Sequence, residues 1–174
     1  MRKLILYLAC SLDNKIARTD HSLDWLPEPE EGSEEDYGYY TFYDSIDTLL
    51  MGYRTYEIPI NHGEWPYIGK TSYVFSRSNK PIIDAAVLVN EDPVTFTKEL
   101  KNKNGIDIWL VGGGNLNQQL HDAGLIDEYI ITFIPVILGE GVELLPNIKS
   151  EYKLVLKEQK TYPGGVVQMH YVRV

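Results

Sequence analysis

The sequence predicts an α/β protein with three αβα layers: helices cover both faces of a mainly parallel central sheet, and the C-terminal edge of that sheet is antiparallel. Strand-like apolar runs alternate with segments that carry helix start and stop signals, the pattern of parallel strands joined by crossover helices. The last two strand-like segments instead flank Tyr162-Pro-Gly-Gly165, a hairpin-like turn that favours an antiparallel pair. The length of 174 residues fits one domain over residues 1–174.

Eight segments of the chain have strand character. The run at 106–111 is mostly apolar, as expected for a strand that is covered on both faces. The eight segments lie near residues 3–10, 48–52, 71–76, 86–89, 106–111, 127–134, 152–162 and 166–173.

The first two predicted helices lie in the N-terminal third of the chain. Ser33 is a plausible N-cap with Asp36 three residues later, which predicts a helix that continues to about Ile46. A second, short helix is expected over residues 53–58.

Two further helices have clearer boundary signals. Asp92 followed by Pro93 is the N-cap and N1 pattern, which predicts a helix to about Lys103. A helix over residues 115–123 should end before Gly124, which suits the left-handed position after a helix.

Charge, hydropathy and the cysteine and histidine content argue against several classes of partner. The net charge of −9 argues against a nucleic-acid partner, because phosphate contacts need a basic surface. No run of 18 apolar residues is present, so no membrane partner is expected. Cys10 is the single cysteine, which agrees with a reducing, cytoplasmic location. The four histidines show no metal-ligand spacing, so we expect no metal and place these side chains at the surface.

The most informative segment is the strand at 106–111 followed by three consecutive glycines and a helix. Gly112, Gly113 and Gly114 leave bare backbone where the strand stops, and the free N–H groups of the next helix point toward it. This arrangement is typical of a phosphate or pyrophosphate site. The alternative is a tight strand–helix turn that binds nothing, for which one glycine would suffice.

Two other strand ends carry groups that suit phosphate. Gly52 is followed by Arg54 and Thr55, a guanidinium and a hydroxyl near a helix start. The strand near 71–76 ends in Ser76 and Arg77, a hydroxyl and a guanidinium that could hold a phosphomonoester. Surface arginines after strands are usually only solvated, but three such ends in one sheet favour a dinucleotide with an extra phosphate.

Several motifs, in order, resemble those of the dihydrofolate-reductase-like superfamily over nearly the whole chain. Residues 9–17 are similar to its first strand and the loop beside the nicotinamide, and Trp25-Leu-Pro-Glu to its Trp-x-x-Pro region. Met51-Gly-Tyr-Arg-Thr-Tyr is similar to its Met-Gly-Arg-x-Thr-Trp with the arginine displaced by one position. Val111-Gly-Gly-Gly-Asn-Leu is similar to its Ile-Gly-Gly-Gly element.

Three more motifs resemble the riboflavin-pathway reductase branch of that superfamily. They are Ser11-Leu-Asp-Asn-Lys-Ile-Ala, Ala123-Gly-Leu-Ile-Asp-Glu and Pro135-Val-Ile-Leu-Gly-Glu-Gly. Asn14 stands where the branch commonly has glycine, and asparagine tolerates a positive φ better than most residues. The chain has no zinc-ligand spacing and no deaminase segment, so it resembles a free-standing reductase domain.

This resemblance implies NADPH as cofactor and a hydride transfer to a small pterin-like or ribosylamino-pyrimidine-like substrate. The alternatives are a true dihydrofolate reductase and a catalytically silent nucleotide-binding protein. The resemblance also implies a cis peptide between Gly112 and Gly113, and a homodimer. The implied cofactor contacts are Gly112, Gly113, Gly114, Asn115 and Leu116 at the pyrophosphate, Gly52, Arg54 and Thr55 at phosphates from the other side, Ser76 and Arg77 at the 2′-phosphate, and Ala9, Ile16 and Ala17 at the nicotinamide.

The sequence offers two candidate proton donors and two candidate substrate contacts. By its register in the family, Asp36 is a candidate proton donor, although it could only cap the helix. Asp13 is the rival, although it could only fix a turn. Thr132 and Trp25 are candidate substrate contacts, and a buried strand threonine is the alternative for Thr132.

Overall fold

A central sheet positions every other part of the molecule. The computed structural model describes residues 1–27 and 35–174. Within those residues the main sheet has eight strands in the order β5-β4-β3-β6-β1-β7-β10-β9. They are β1 Leu4–Ser11, β3 Ile46–Gly52, β4 Thr71–Phe75, β5 Ala86–Val89, β6 Asp107–Gly112, β7 Glu128–Ile134, β9 Leu154–Thr161 and β10 Val167–Arg173.

The strand directions confirm the predicted fold class. The six strands from β5 to β7 pair in parallel with their neighbours in the sheet. β10 then pairs antiparallel with both β7 and β9, so the C-terminal edge is antiparallel as the turn at 162–165 predicts. Because the carboxyl ends of the parallel strands share one edge, the segments that follow them converge there.

Four helices cover the sheet within the described residues, namely α1 Tyr39–Asp44, α2 Tyr53–Asn61, α3 Pro93–Lys101 and α4 Gly114–Asp122. The Asp92 carboxylate accepts a hydrogen bond from the Thr95 amide at 2.8 Å, which confirms the predicted N-cap of α3. Gly124 follows α4 with φ of 64°, as expected for its position.

The first helix is shorter than predicted. Ile46 begins β3 instead of ending α1, and α1 starts only at Tyr39. Its expected N-cap, Ser33, lies outside the described residues. The apolar run that starts at Ile46 continues into a buried strand, and this burial decides the boundary against the helical pattern.

The two faces of the sheet pack against different helices. Leu4 and Leu6 of β1 share one hydrophobic cluster with Leu100 of α3 and Leu120 of α4. Ile5 points to the opposite face, where α1 and α2 pack. This alternation is the period-two geometry of a strand, and it produces the three layers.

Two features of the fold were not foreseen. β2 Lys15–Ala17 and β8 Val142–Glu143 form a small antiparallel pair outside the main sheet. His121 was expected at the surface, and this expectation is wrong: it is buried between the Tyr129 hydroxyl, 2.9 Å from Nδ1, and the Ser150 carbonyl, 3.0 Å from Nε2.

The helices are short. The longest of those described, α2, α3 and α4, have nine residues each, and none of the described helices has the length and hydrophobicity to cross a membrane.

Candidate active site

A large cleft opens at the carboxyl ends of the parallel strands. Its volume is about 1230 Å³, more than a single drug-sized ligand occupies. It is lined by every predicted cofactor contact except Gly112, whose backbone is buried at the end of β6. The sheet order therefore gathers into one space residues that are separated by up to about a hundred positions in the chain.

The floor of the cleft is bare backbone where β3 and β6 end side by side. Met51 of β3 pairs with Gly112 of β6. A Cβ atom added at Gly52 would lie 3.9 Å from both the Gly112 oxygen and the Gly113 nitrogen. A Cβ added at Gly113 would lie 3.4 Å from Thr55 Oγ1. Side chains at these glycines would fill the space that a bound group needs.

Two helices of nine residues begin at this floor. α2 starts directly after Gly52 and α4 starts at Gly114, so free amides of both first turns flank the glycine backbone. Neither N-cap residue supplies a capping side chain, as both are glycines. The peptide between Gly112 and Gly113 is cis, which confirms that expectation. Glycine backbone flanked by the free amides of two helix N-termini suits an anionic group such as a pyrophosphate.

The end of β4 adds a cation to the cleft. Ser76 and Arg77 line the cleft, and the Arg77 side chain is exposed. The Arg77 guanidinium makes no hydrogen bond or ion pair with any other residue in the described ranges. Ser76 is held by the end of β5 and the residue after it, because its amide donates to the Val89 carbonyl at 3.0 Å and the Asn90 side-chain amide donates to its carbonyl at 2.9 Å. This end therefore presents a charge whose partner is not supplied by the rest of the described chain.

Arg54 has a different environment. Its Nη1 lies 3.1 Å from His21 Nε2, and both residues line the cleft. His21 belongs to the loop after β2 and has a φ of 68°. Arg54, the displaced arginine of the Met-Gly motif, therefore contacts the loop after β2.

Asp13 fixes two loops to one another. Its carboxylate accepts hydrogen bonds from Ser11 Oγ at 2.7 Å, from the Leu138 amide at 3.0 Å and from the Gly139 amide at 2.7 Å. These bonds, first of all the one from Ser11, lower the pKa of Asp13 to about 2. Its neighbour Asn14 adopts a φ of 60°, as the substitution for glycine requires. Asp13 does not line the cleft, and its geometry is that of a turn-fixing carboxylate.

Asp36 caps the start of α1. It precedes the helix instead of lying within its first turn, and its carboxylate accepts hydrogen bonds from the Tyr40 and Gly38 amides, both at 2.9 Å. These two bonds lower the pKa of the Asp36 carboxyl below its usual value. The side chain is outside the lining of the cleft, so the observed contacts are those of a cap.

Thr132 and Trp25, the two predicted substrate contacts, are buried and do not line the cleft. Thr132 Oγ1 accepts a hydrogen bond from Gln168 Nε2 at 2.9 Å, which links β7 to β10. Trp25 packs against Ile134 and Val166, and its indole N–H has no hydrogen-bond partner among the described residues. Leu26, next to Trp25, is the residue of that segment that lines the cleft.

Sequence reasoning missed an aromatic wall on the side of the cleft where α1 packs. Tyr7, Tyr39, Tyr67 and Trp109 all line the cleft there. Burial raises the pKa of the Tyr7 and Tyr39 hydroxyls to about 12, so both are neutral at physiological pH. The aromatic residues were visible in the sequence, but no local pattern separates such a wall from ordinary core.

The fold and the cleft define the class of protein. A mainly parallel sheet with an antiparallel C-terminal edge, and two glycine strand ends at a shared cleft, are what the resemblance to dihydrofolate-reductase-like proteins implies. Within the described residues, no group of three or more His, Cys, Asp or Glu side chains could hold a metal ion. The RibD C-terminal domain family model matches residues 2–168. The chain belongs to that family.

Its relatives include two proteins of Bacillus subtilis (strain 168) that match over nearly the whole chain. The uncharacterized protein YwjB is 44% identical over 174 residues, which cover 99% of this chain and 98% of YwjB. The uncharacterized protein YyaP is 33% identical over 183 residues, which cover 98% of this chain and 94% of YyaP.

The fold is similar to solved structures of riboflavin biosynthesis proteins and of a dihydrofolate reductase. A structure described as a riboflavin biosynthesis protein from Shewanella sp. PV-4 has a TM-score of 0.87 at 27% identity, over 99% of both chains. A deaminase and 5-amino-6-(5-phosphoribosylamino)uracil reductase from Thermotoga maritima has a TM-score of 0.73 at 13% identity, and the match spans 99% of this chain and 57% of that one. Dihydrofolate reductase from Enterococcus faecalis, complexed with NADP(H), has a TM-score of 0.70 at 18% identity, over 98% and 96% of the two chains.

Proposed function

We propose that this protein is an NADPH-dependent reductase that transfers a hydride to a small pterin-like or ribosylamino-pyrimidine-like substrate. The observation that carries the proposal is the glycine floor between β3 and β6, flanked by two helix N-termini and by Arg77, which has no partner among residues 1–27 and 35–174. The membership of the RibD C-terminal domain family and the NADP(H) complex of a structural neighbour support it.

The cleft residues divide into three groups that suit the parts of this cofactor. Gly113 and Gly114 would accept the pyrophosphate against backbone amides, and Thr55 would donate from the facing helix. Arg77, with Ser76, would hold the 2′-phosphate through charge-assisted hydrogen bonds. Ala9, Ile16 and Ala17 would border the nicotinamide with small or apolar side chains.

When bound, NADPH supplies the hydride, and a proton completes the two-electron reduction of the substrate. Asp13 and Asp36 are not placed to donate this proton directly, because their carboxylates accept hydrogen bonds from backbone amides and lie outside the cleft lining. The protein's contribution is then to orient the reacting ring and to exclude bulk solvent from it.

A true dihydrofolate reductase is the less favoured alternative. That activity would place a carboxylate of the first helix against the pterin, whereas α1 contributes Tyr39 to the cleft and Asp36 binds the helix amides. A silent nucleotide-binding protein remains an alternative that only an activity assay separates.

Titration with NADPH and NADH, followed by cofactor fluorescence, tests the proposal. We expect NADPH to bind at least about tenfold more tightly than NADH, because of the charge at Arg77. NADPH oxidation is then measured with dihydrofolate and, separately, with a ribosylaminopyrimidine. Binding with no turnover of either compound would favour the silent protein, and no binding of NADPH would refute the proposal.

We also propose that the protein forms a homodimer. All eight residues of β9 are exposed, and β9 is the last strand of the main sheet among the described residues. A bare edge of this length is a liability in solution unless it is covered.

A further inference from the structure

The aromatic wall of the cleft is built around one indole ring. Three tyrosine rings meet Trp109 edge to face, with centroid distances of 5.9 Å for Tyr7, 6.0 Å for Tyr39 and 5.6 Å for Tyr67. The Trp109 N–H donates to the Tyr7 carbonyl at 2.8 Å, which fixes the indole to β1. Trp109 itself is 6% exposed, so the wall is anchored in the core.

Two hydroxyl groups of this wall are unpaired within the described part of the chain. The Tyr39 and Tyr67 hydroxyls have no hydrogen-bond partner within residues 1–27 and 35–174. Burial raises the pKa of both hydroxyls, so they carry no charge at physiological pH. The wall therefore offers aromatic side chains and neutral hydroxyl groups to the cleft.

The charged side chains that line the cleft lie on elements other than β1, α1 and β6, which carry Tyr7, Tyr39 and Trp109 of the wall. The Lys and Arg side chains that line it in the described ranges are Arg54, Arg77 and Lys80, which follow β3 and β4. Among the residues that the structure describes, the carboxylates of the lining are Glu91, after β5, and Glu143, in β8. In contrast, β1, α1 and β6 contribute no charged side chain to the lining. The segment 28–34 contains no lysine or arginine, so it has no cation to add.

We propose that the aromatic wall binds a flat, uncharged ring and that the site discriminates against substrates that carry a phosphate group. This inference rests on the proposed reductase function and narrows its substrate class. Tyrosine and tryptophan rings stack well on planar heterocycles, and the tyrosine hydroxyls can bond to ring nitrogen or carbonyl groups. A phosphate next to this wall would lose hydration without gaining a cation.

A matched pair of compounds tests the discrimination. We choose 5-amino-6-ribosylaminouracil and its 5′-phosphate, which differ only in the charged group. Isothermal titration calorimetry on the full chain, with and without NADPH, gives the Kd of each compound, and NADPH oxidation gives kcat/KM. We expect the neutral compound to bind about 30-fold more tightly and to have the higher kcat/KM, because a phosphate held beside the wall loses hydration that no charged side chain of β1, α1 or β6 restores. Equal affinity, or preference for the phosphate, would overturn the inference.

A pair of adjacent tyrosines provides matched variants. Tyr39→Phe removes one free hydroxyl from the wall, whereas Tyr40→Phe removes a hydroxyl from a side chain that is 69% exposed and does not line the cleft. We expect Tyr39→Phe to raise the Kd of the neutral compound about 3–10-fold, the loss for one neutral hydrogen bond, with the Kd of NADPH changed by less than about twofold. Tyr67→Phe should act in the same direction as Tyr39→Phe. The inference fails if both wall variants bind the neutral compound as the Tyr40→Phe control does.

The two proposals fail in different ways. If NADPH does not bind, the reductase function is refuted, while the titrations without cofactor still decide whether the wall takes a neutral ring. If NADPH is oxidised and the phosphorylated compound is preferred, the reductase function stands and the discrimination is wrong. Preference for the phosphate would point to Arg54 as its partner, which Arg54→Ala would then test.

Discussion

Gly114→Ala is the substitution that tests most directly how the cleft floor is built. Gly114 is the first residue of α4 and is buried against β8. A Cβ added there would lie 2.2 Å from the Glu143 carbonyl oxygen and 3.2 Å from Pro146 Cδ. The first contact is with backbone, so no side-chain rotation can relieve it.

The required displacement sets the expected cost. Ordinary contact begins near 3.4 Å, so α4 and β8 must separate by about 1.2 Å. Overpacking of this kind costs about 1–3 kcal/mol, and the helical preference of alanine over glycine offsets at most about 1 kcal/mol of it. Because the clash is with backbone, the cost lies at the upper end of that range, about 3 kcal/mol, and we expect a net loss of about 2 kcal/mol in the free energy of unfolding.

Urea denaturation followed by circular dichroism measures this loss. Asn115→Ala is the control, because Asn115 is the next residue of α4 and is exposed, so its change should stay within about 0.5 kcal/mol. Amide hydrogen exchange should also show weaker protection of the β2–β8 pair in Gly114→Ala. The packing argument would be refuted if Gly114→Ala were as stable as Asn115→Ala and protected β8 equally well.

Three further predictions concern the cofactor, one loop and the assembly. Arg77→Ala should weaken NADPH binding by about 1–3 kcal/mol and leave NADH binding nearly unchanged, as measured by fluorescence titration; equal losses for both cofactors would separate Arg77 from the 2′-phosphate. The folded-state pKa of Asp13 lies below its unfolded value, so its bonds to Leu138 and Gly139 stabilise the fold above about pH 4 and are lost as the pH falls toward about 2. Asp13→Asn should therefore speed amide exchange at those two residues at pH 7, and an unchanged rate would contradict this role. If a second copy covers the exposed strand β9, light scattering at micromolar concentration should give the mass of a dimer, and a monomeric mass would count against it.

The glycine strand ends of the cleft were readable from the sequence because their signals are local. A run of apolar residues, a glycine and a helix start are consecutive in the chain, as at Gly52 and at residues 112–114. The parallel topology follows from the alternation of strands and helices, and it places those ends on one edge.

The contacts of the two predicted catalytic carboxylates could not be predicted from the sequence. The sequence gives the position of Asp36 and of Asp13, but not which amides their oxygens reach. Asp13 meets Leu138 and Gly139, which are more than 120 residues away in the chain. The end of α1 was missed for a related reason, because burial of the strand that starts at Ile46 outweighs the helical preference of its sequence.

The sequence by itself determined the fold class, the antiparallel C-terminal edge and the glycine strand ends, because each depends on neighbours in the chain. Only the tertiary structure decided what faces the cleft. Tyr7, Tyr39, Tyr67 and Trp109 come from separate parts of the chain, and they meet because β6 lies next to β1 and α1 packs on the face that both strands share. Side-chain contacts between distant segments follow from the order of strands in the sheet, which no local periodicity encodes.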